Sequence, residues 1–419
     1  MVIFLFAVIA IAYAYFLYKF DFRYISLFWV LAFSISFLLP VLINQPFKYG
    51  FYIETGDYDK LNGYYLLALV CFVISNIIFT LFKFKFKVKK AEILTIKNTS
   101  KVFNIYAVLT IFVILMTGVG VISSGTVGSL EHHPIMKIFS ASILLGLLYV
   151  SLLRVYIAET KAQRFRFAII SIIVLLLVAI LVFGRRILIY PLIAVFILAI
   201  FRRKKAPNIF LVSIIGMSMI TIVLPLMMSI RTLGVKSGIS NFFKIFTGDF
   251  SSYVQYLSYG TDVNYSYSFA AIILSTNTKV SVLTLFKPLF LFVPRFIWPN
   301  KPLPLSEALL DHLHMPFKEG MSIPPGFIGE SYAYLGIIGV IIAAVIFGVG
   351  CGLADAYCLH LRSTKEGLES VSLAMVTIIA TQMIMGSIRG DTATNIQEAF
   401  YLFVPLYILL KLSYYRIKI

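Results

Sequence analysis

Six cations sit where an apolar chain has least reason to keep them: Arg185, Arg186, Arg231, Arg295, Lys301 and Arg389 fall in or beside polar breaks between hydrophobic runs. Guanidinium groups stay charged at any relevant pH and match phosphate oxygens bidentately, so together these residues can hold a diphosphate. Taken singly, each can instead reach lipid headgroups along its aliphatic stem. One carboxylate, Glu330, follows Pro324-Pro325-Gly326 and opens the next hydrophobic run. It reads either as a general base or as an acid at a helix start, favoured there by the helix dipole. Asp311, His312 and His314 form a further group, with His314 the second choice as base; His132 and His133, before Pro134, read as a loop end.

Two weaker patterns complete the inventory. Asp57-Tyr58-Asp59 has the form by which many sugar transferases hold a divalent ion with a diphosphate, but the flanking glycines favour a plain turn. Aromatics such as Tyr253, Tyr265, Tyr267, Phe296 and Trp298 can offer flat faces to sugar rings or simply fill core and interface. Cys71, Cys351 and Cys358 show no paired spacing, so neither a disulfide framework nor a metal site is signalled, and no cofactor is expected.

The elements that must position these residues follow from composition. A hydrophobic fraction of 60%, a charged fraction of 13% and a mean hydropathy of +0.94 over 419 residues exceed what a soluble domain can solvate. The fold class is an all-α polytopic membrane protein. The net charge of +18 does not point to nucleic acid, because the basic clusters Lys83 to Lys90 and Arg202 to Lys205 lie where spans end and set topology. Ala12-Tyr13-Ala14 resembles a signal-peptidase site, but no basic region precedes it, so the first run reads as an uncleaved span.

Spanning-length windows fall near residues 1–18, 24–44, 63–82, 102–123, 136–157, 167–183, 187–201, 208–230, 327–354, 371–388 and 395–413, about eleven helices. Every second connection is basic, which puts the N-terminus outside and the Arg416 and Lys418 tail in the cytoplasm. The chain then divides into residues 1–230 with eight spans, a long outer loop at 231–326 acting as a lid, and 327–419 with three more. Within the loop, the apolar runs at 269–274 and 283–294 are short and broken by Lys287, Pro288 and Pro294, which predicts interfacial or re-entrant helices.

Four patches in this order resemble a family. Ser229-Ile-Arg231, Pro294-Arg-Phe-Ile-Trp-Pro-Asn-Lys-Pro302, Pro325-Gly-Phe-Ile-Gly-Glu-Ser-Tyr-Ala-Tyr-Leu-Gly336 and Ile388-Arg-Gly-Asp391 are similar to patches in bacterial oligosaccharide repeat-unit polymerases, the Wzy-type O-antigen polymerases. The resemblance implies an inverting, metal-independent glycosyltransferase of the inner membrane, acting on its outer, periplasmic face. Its partners would be undecaprenyl-diphosphate-linked oligosaccharides as donor and acceptor, the lipid bilayer, a chain-length regulator and a flippase, with no nucleic acid. Arg231, Arg295 and Arg389 would hold diphosphate or sugar, and Glu330 would be the acid at the loop's end. An O-antigen ligase of the same architecture is the alternative within this class. A lipid-linked oligosaccharide flippase or other transporter is the alternative outside it, expected to carry inverted repeats and charges along a mid-membrane path.

Overall fold

In a computed structural model, the structure describes residues 1–21, 23–43, 53–81, 86, 92–117, 134–181, 185–202, 222, 225, 226, 229, 233, 235–249, 253, 262–290, 293, 297–303, 305–314 and 324–415. The protein is an all-α membrane protein. Among the described residues there is no strand, and a single bridge pairs Ile93 with Ser370. Seven helices are long and apolar enough to cross a membrane, and Ser142–Ile157, Ile189–Arg202 and Tyr265–Ser275 are shorter apolar helices. All but residues 222, 225, 226 and 229 of the expected window at 208–230, and the basic tail at Arg416 and Lys418, lie outside the described residues, so they do not enter that count.

The helices are α1 (Val2–Phe16), α2 (Tyr24–Ile43), α3 (Thr55–Leu81), α4 (Ile96–Thr117), α5 (Pro134–Ile157), α6 (Lys161–Leu181), α7 (Arg185–Arg202), α8 (Val235–Phe246), α9 (Asp262–Ser275), α10 (Leu305–His312), α11 (Gly326–Arg362), α12 (Val371–Arg389) and α13 (Thr392–Tyr415), with a 3-10 helix at Val282–Phe290. They fall into two compact units. The first comprises residues 1–84, 254–356 and 382–397; the second comprises 85–253, 357–381 and 398–419.

In the first unit α1, α2 and α3 pack on one another, and α9 lies against α2 and α3. The core is aromatic. Trp29 stacks on Phe72 with centroids 3.8 Å apart, and Phe327 meets Trp29, Phe33 and Phe347 edge-on. Such offset and edge contacts contribute beyond the area they bury.

Phe327 and Phe347 reveal how α11 runs. In a straight helix residues twenty apart lie about 30 Å apart, yet these two rings are 5.6 Å apart. The helix breaks at Leu335 and at Gly336, whose φ of 64° and ψ of −145° only glycine adopts easily. The chain folds back there, and a Cβ built on Gly339 would strike the Ser331 carbonyl. The expected uninterrupted span over 327–354 is therefore corrected: residues 326–334 form a limb of about 13 Å, too short to cross, and 337–362 form one of about 39 Å, which is long enough. The long limb approaches α3 through Gly348 and Gly352, where a Cβ would collide with Ser75 or Phe79.

The run at 269–274 lies within α9, and the run at 283–294 is helical over its described residues to Phe290. α9 has 14 residues and is about 21 Å long, short of a bilayer's apolar core. Residues 266–274 are all buried, on every face, so α9 is enclosed by protein. Ile273 and Val280 pack with Leu305 and Leu309 of α10 and Ala333, while Phe269 and Ile272 pack with Leu310 and Leu313.

In the second unit α4, α5, α6 and α7 pack as successive neighbours. Tyr156 donates to the Leu368 carbonyl, and Arg202 pairs with Glu369 at 3.4 Å.

Candidate functional site

Three chain segments of the first unit meet because three glycines let them. Gly326, at φ 71°, sits where a Cβ would lie 3.1 Å from Ser266 of α9. Gly329 would press on Ala270 at 3.1 Å. Gly390, at φ 90°, would strike Pro325 at 2.7 Å and the Gly326 nitrogen at 2.8 Å. Left-handed backbone and close approach are thus both met at Gly326 and Gly390 by the absence of a side chain.

Over this junction stands Glu330, 4% exposed. Its Oε1 accepts the Thr392 backbone N–H at 2.8 Å and its Oε2 the Thr392 hydroxyl at 2.8 Å. Tyr334, one turn on in the same limb, accepts the Thr284 hydroxyl at 3.1 Å. No ion pair of Glu330 occurs among the described residues. Asp391 is its charged neighbour and caps the same helix end, accepting the Thr394 N–H at 3.2 Å and the Thr394 hydroxyl at 2.8 Å. The first turn of α13 has N–H groups with no intrahelical partner and a positive dipole end, and two carboxylates meet both needs. The reading of Glu330 as an acid at its own helix start is corrected in detail: the N-terminus it serves is that of α13, 62 residues on.

The far end of the short limb is held as closely. Val280 N–H donates to the Ala333 carbonyl at 2.9 Å, and Lys279 Nζ donates to the Tyr332 carbonyl at 3.1 Å while lying 3.7 Å from the Tyr332 ring. A cation and an N–H thereby satisfy the last carbonyls of a helix that cannot continue.

Arg389 closes α12, half-buried, directly before the Gly390–Asp391 turn, and its carbonyl is within 3.5 Å of Ser266 Oγ. Glu330 and Arg389 are thus brought to one junction through the backbone of that turn. Lys301 is half-buried and donates to the Val293 carbonyl at 3.1 Å. His314, at φ 50°, is exposed just past α10, and His312 Nδ1 lies 2.8 Å from the Ala308 carbonyl. No hydrogen bond or ion pair joins His314 to Glu330 among the described residues. Arg185 and Arg186 open α7 in the second unit, where only their backbone is described. Arg231, Arg295, His132 and His133 lie outside the described residues.

No family model, curated protein or solved structure matches this chain. The site is therefore read from its own geometry.

Asp57-Tyr58-Asp59 belongs to the first turns of α3 and not to a glycine turn. Asp57 pairs with Lys60 at 3.2 Å, and Asp59 is exposed. Among the described residues no group of three potential metal ligands assembles. Tyr267 faces inward, donating to Asn62 at 2.9 Å and lying beside Tyr58 and Tyr65.

Sequence reasoning missed Thr392, Tyr334 and Thr284. Tyr334 had a signal, since it stands four residues after Glu330 and shares its helix face. Asp391 had one too, being a capping residue followed by Thr394, but in the sequence it stands out only as the last residue of the Ile388-Arg-Gly-Asp391 patch.

Proposed function

We propose that the chain is a membrane-embedded inverting glycosyltransferase that joins undecaprenyl-diphosphate-linked oligosaccharide repeat units into O-antigen or capsular polysaccharide. One observation carries the reading. Two of the four patches on which the resemblance rests, 325–336 and 388–391, form a single junction held by Glu330 and Thr392. In this reading about eleven spans cross the bacterial inner membrane, the N-terminus is outside, and the junction faces the periplasm.

The chemistry would be a hydroxyl at the end of one lipid-linked repeat attacking the anomeric carbon of another chain's lipid-linked sugar. The bond to undecaprenyl diphosphate breaks, and that group leaves with the electron pair. Negative charge grows on it in the transition state, so Arg389, with Arg295 and Arg231, would stabilise it more than the ground state. Glu330 would accept the hydroxyl proton, and the acceptor hydroxyl would take the place at Oε2 that Thr392 Oγ1 holds.

Purified protein given its host's lipid-linked repeat unit should yield a ladder of longer glycans, and Arg389→Ala at normal expression should abolish it. Unchanged substrate, or a wild-type ladder from Arg389→Ala, overturns the reading or the role of Arg389 respectively. A transporter is the second reading, favoured by the break in α11 and by the buried carboxylates Glu330 and Asp355 on its two limbs. It predicts movement of the lipid-linked oligosaccharide across vesicles with no change in its length.

A further inference from the structure

Of the two runs expected to lie at the membrane surface, the one in α9 is enclosed by protein. An amphipathic pattern falls instead on α8, Val235–Phe246, and divides that helix into three arcs. Gly238, Phe242 and Ile245 recur at i, i+4 and i+7 and face protein, with Gly238 buried, Phe242 3% exposed and Ile245 half-buried. One position on, Ile239, Phe243 and Phe246 repeat the same spacing, yet they are 40, 56 and 46% exposed. One position back, Ser237, Ser240 and Lys244 form an exposed polar arc. The helix thus has a second apolar face that the protein leaves uncovered.

Three arcs call for three surroundings. Protein takes the first and water suits the third, but an isoleucine and two phenylalanines in one stripe are poorly placed in water. A bilayer surface offers lipid and water side by side along one line, which fits an apolar arc next to a polar one. Two further observations point the same way. Asn241 Nδ2 donates to Ser229 Oγ at 3.2 Å, which ties the middle of α8 to the last residues of the apolar window at 208–230, where that expected span reaches the membrane boundary. The helix also carries Lys236 and Lys244 and no acidic residue, a charge that suits the phosphates of lipid headgroups. With 12 residues and a length of about 18 Å, it is too short to cross.

We infer that α8 lies along the bilayer surface with Ile239, Phe243 and Phe246 inserted among the acyl chains of a phospholipid leaflet. The start of the long loop is then fixed to the membrane rather than free to move as a lid. The inference does not rest on the transferase reading.

The test uses the full chain carrying Cys71→Ala, Cys351→Ala and Cys358→Ala, so that a nitroxide can be placed at one site at a time. Ile239→Cys, Phe243→Cys and Phe246→Cys report on the apolar arc, and Ser237→Cys, Ser240→Cys and Lys244→Cys on the polar one. In phospholipid nanodiscs, spin relaxation by oxygen, which concentrates in the bilayer, is compared with relaxation by a water-soluble nickel chelate. The oxygen-to-nickel ratio at 239, 243 and 246 should exceed that at 237, 240 and 244 several-fold. Equal ratios on the two arcs place the helix in water and overturn the inference. An apolar arc shielded from both reagents is covered by protein, a second copy included, and overturns it as well. A second measurement keeps the native cysteines: on illumination, Phe243→benzoylphenylalanine should attach a phospholipid to the chain. Attachment to a second chain, or to no lipid at all, counts against the inference in the same way.

Discussion

Replacing Glu330 separates its two possible roles, because glutamine and alanine remove different things. Alanine deletes every acceptor. Thr392 Oγ1 can rotate to another partner, but the Thr392 N–H has no second acceptor among the described residues. One orphaned donor costs about 1–3 kcal/mol, and the space left by a side chain only 4% exposed adds to it. The expected loss for Glu330→Ala is roughly 3 kcal/mol. Glutamine keeps a carbonyl for the Thr392 N–H and offers its amide to the Thr392 oxygen, so Glu330→Gln should stay within about 1 kcal/mol of wild type. Equilibrium unfolding by sodium dodecyl sulfate in mixed micelles measures both. A glutamine variant as unstable as the alanine one refutes the hydrogen-bond account. With folding intact, glutamine also isolates proton transfer: a base at this position predicts a fall in chain extension of about 10²–10⁴-fold. Wild-type extension by Glu330→Gln removes Glu330 from that role and leaves it as the clamp on the Arg389 turn.

Three further outcomes follow from the same packing. Gly390→Ala meets Pro325 at 2.7 Å from a left-handed backbone, so it should lose about 1–3 kcal/mol in the same unfolding assay and lower extension by shifting Arg389. Gly336→Ala is predicted to cost a similar 1–3 kcal/mol or so, and cysteines placed at 327 and 347 should cross-link in the wild-type background, as a hairpin requires and a straight helix forbids. Asp355 accepts the Ile25 N–H at 2.9 Å and the Ser26 N–H and hydroxyl at 2.8 and 2.6 Å, capping α2 as Glu330 caps α13. Asp355→Ala should therefore destabilise by about 2–4 kcal/mol and Asp355→Asn by clearly less, measured side by side.

The membrane character was legible because hydropathy is a sum over neighbours in the chain, and α1 and α2 begin and end near the expected windows, while α3 begins eight residues and α4 six residues before theirs. The helical runs of the long loop were legible for the same reason, as were Glu330 and Arg389 as residues of note. The break in α11 was not. Leu335-Gly336 sits in a run whose glycines at 336, 339, 348, 350 and 352 look alike on paper, and glycine is common in spanning helices. Which one breaks the helix depends on Val280 and Lys279 arriving to satisfy its carbonyls. The turn expected around Asp57 failed in the opposite way: Gly56 and Gly63 have open space around them and are carried within α3.

Sequence alone determined that this chain is apolar, helical and membrane-embedded, and which charged residues stand out against that background. Solvation is a property of each residue and its near neighbours, so composition is enough to state it. Tertiary structure decided what those charges do. Glu330 became a partner of Thr392 and Asp355 a cap for α2, because hydrogen bonds form over about 3 Å between residues that the chain order leaves far apart.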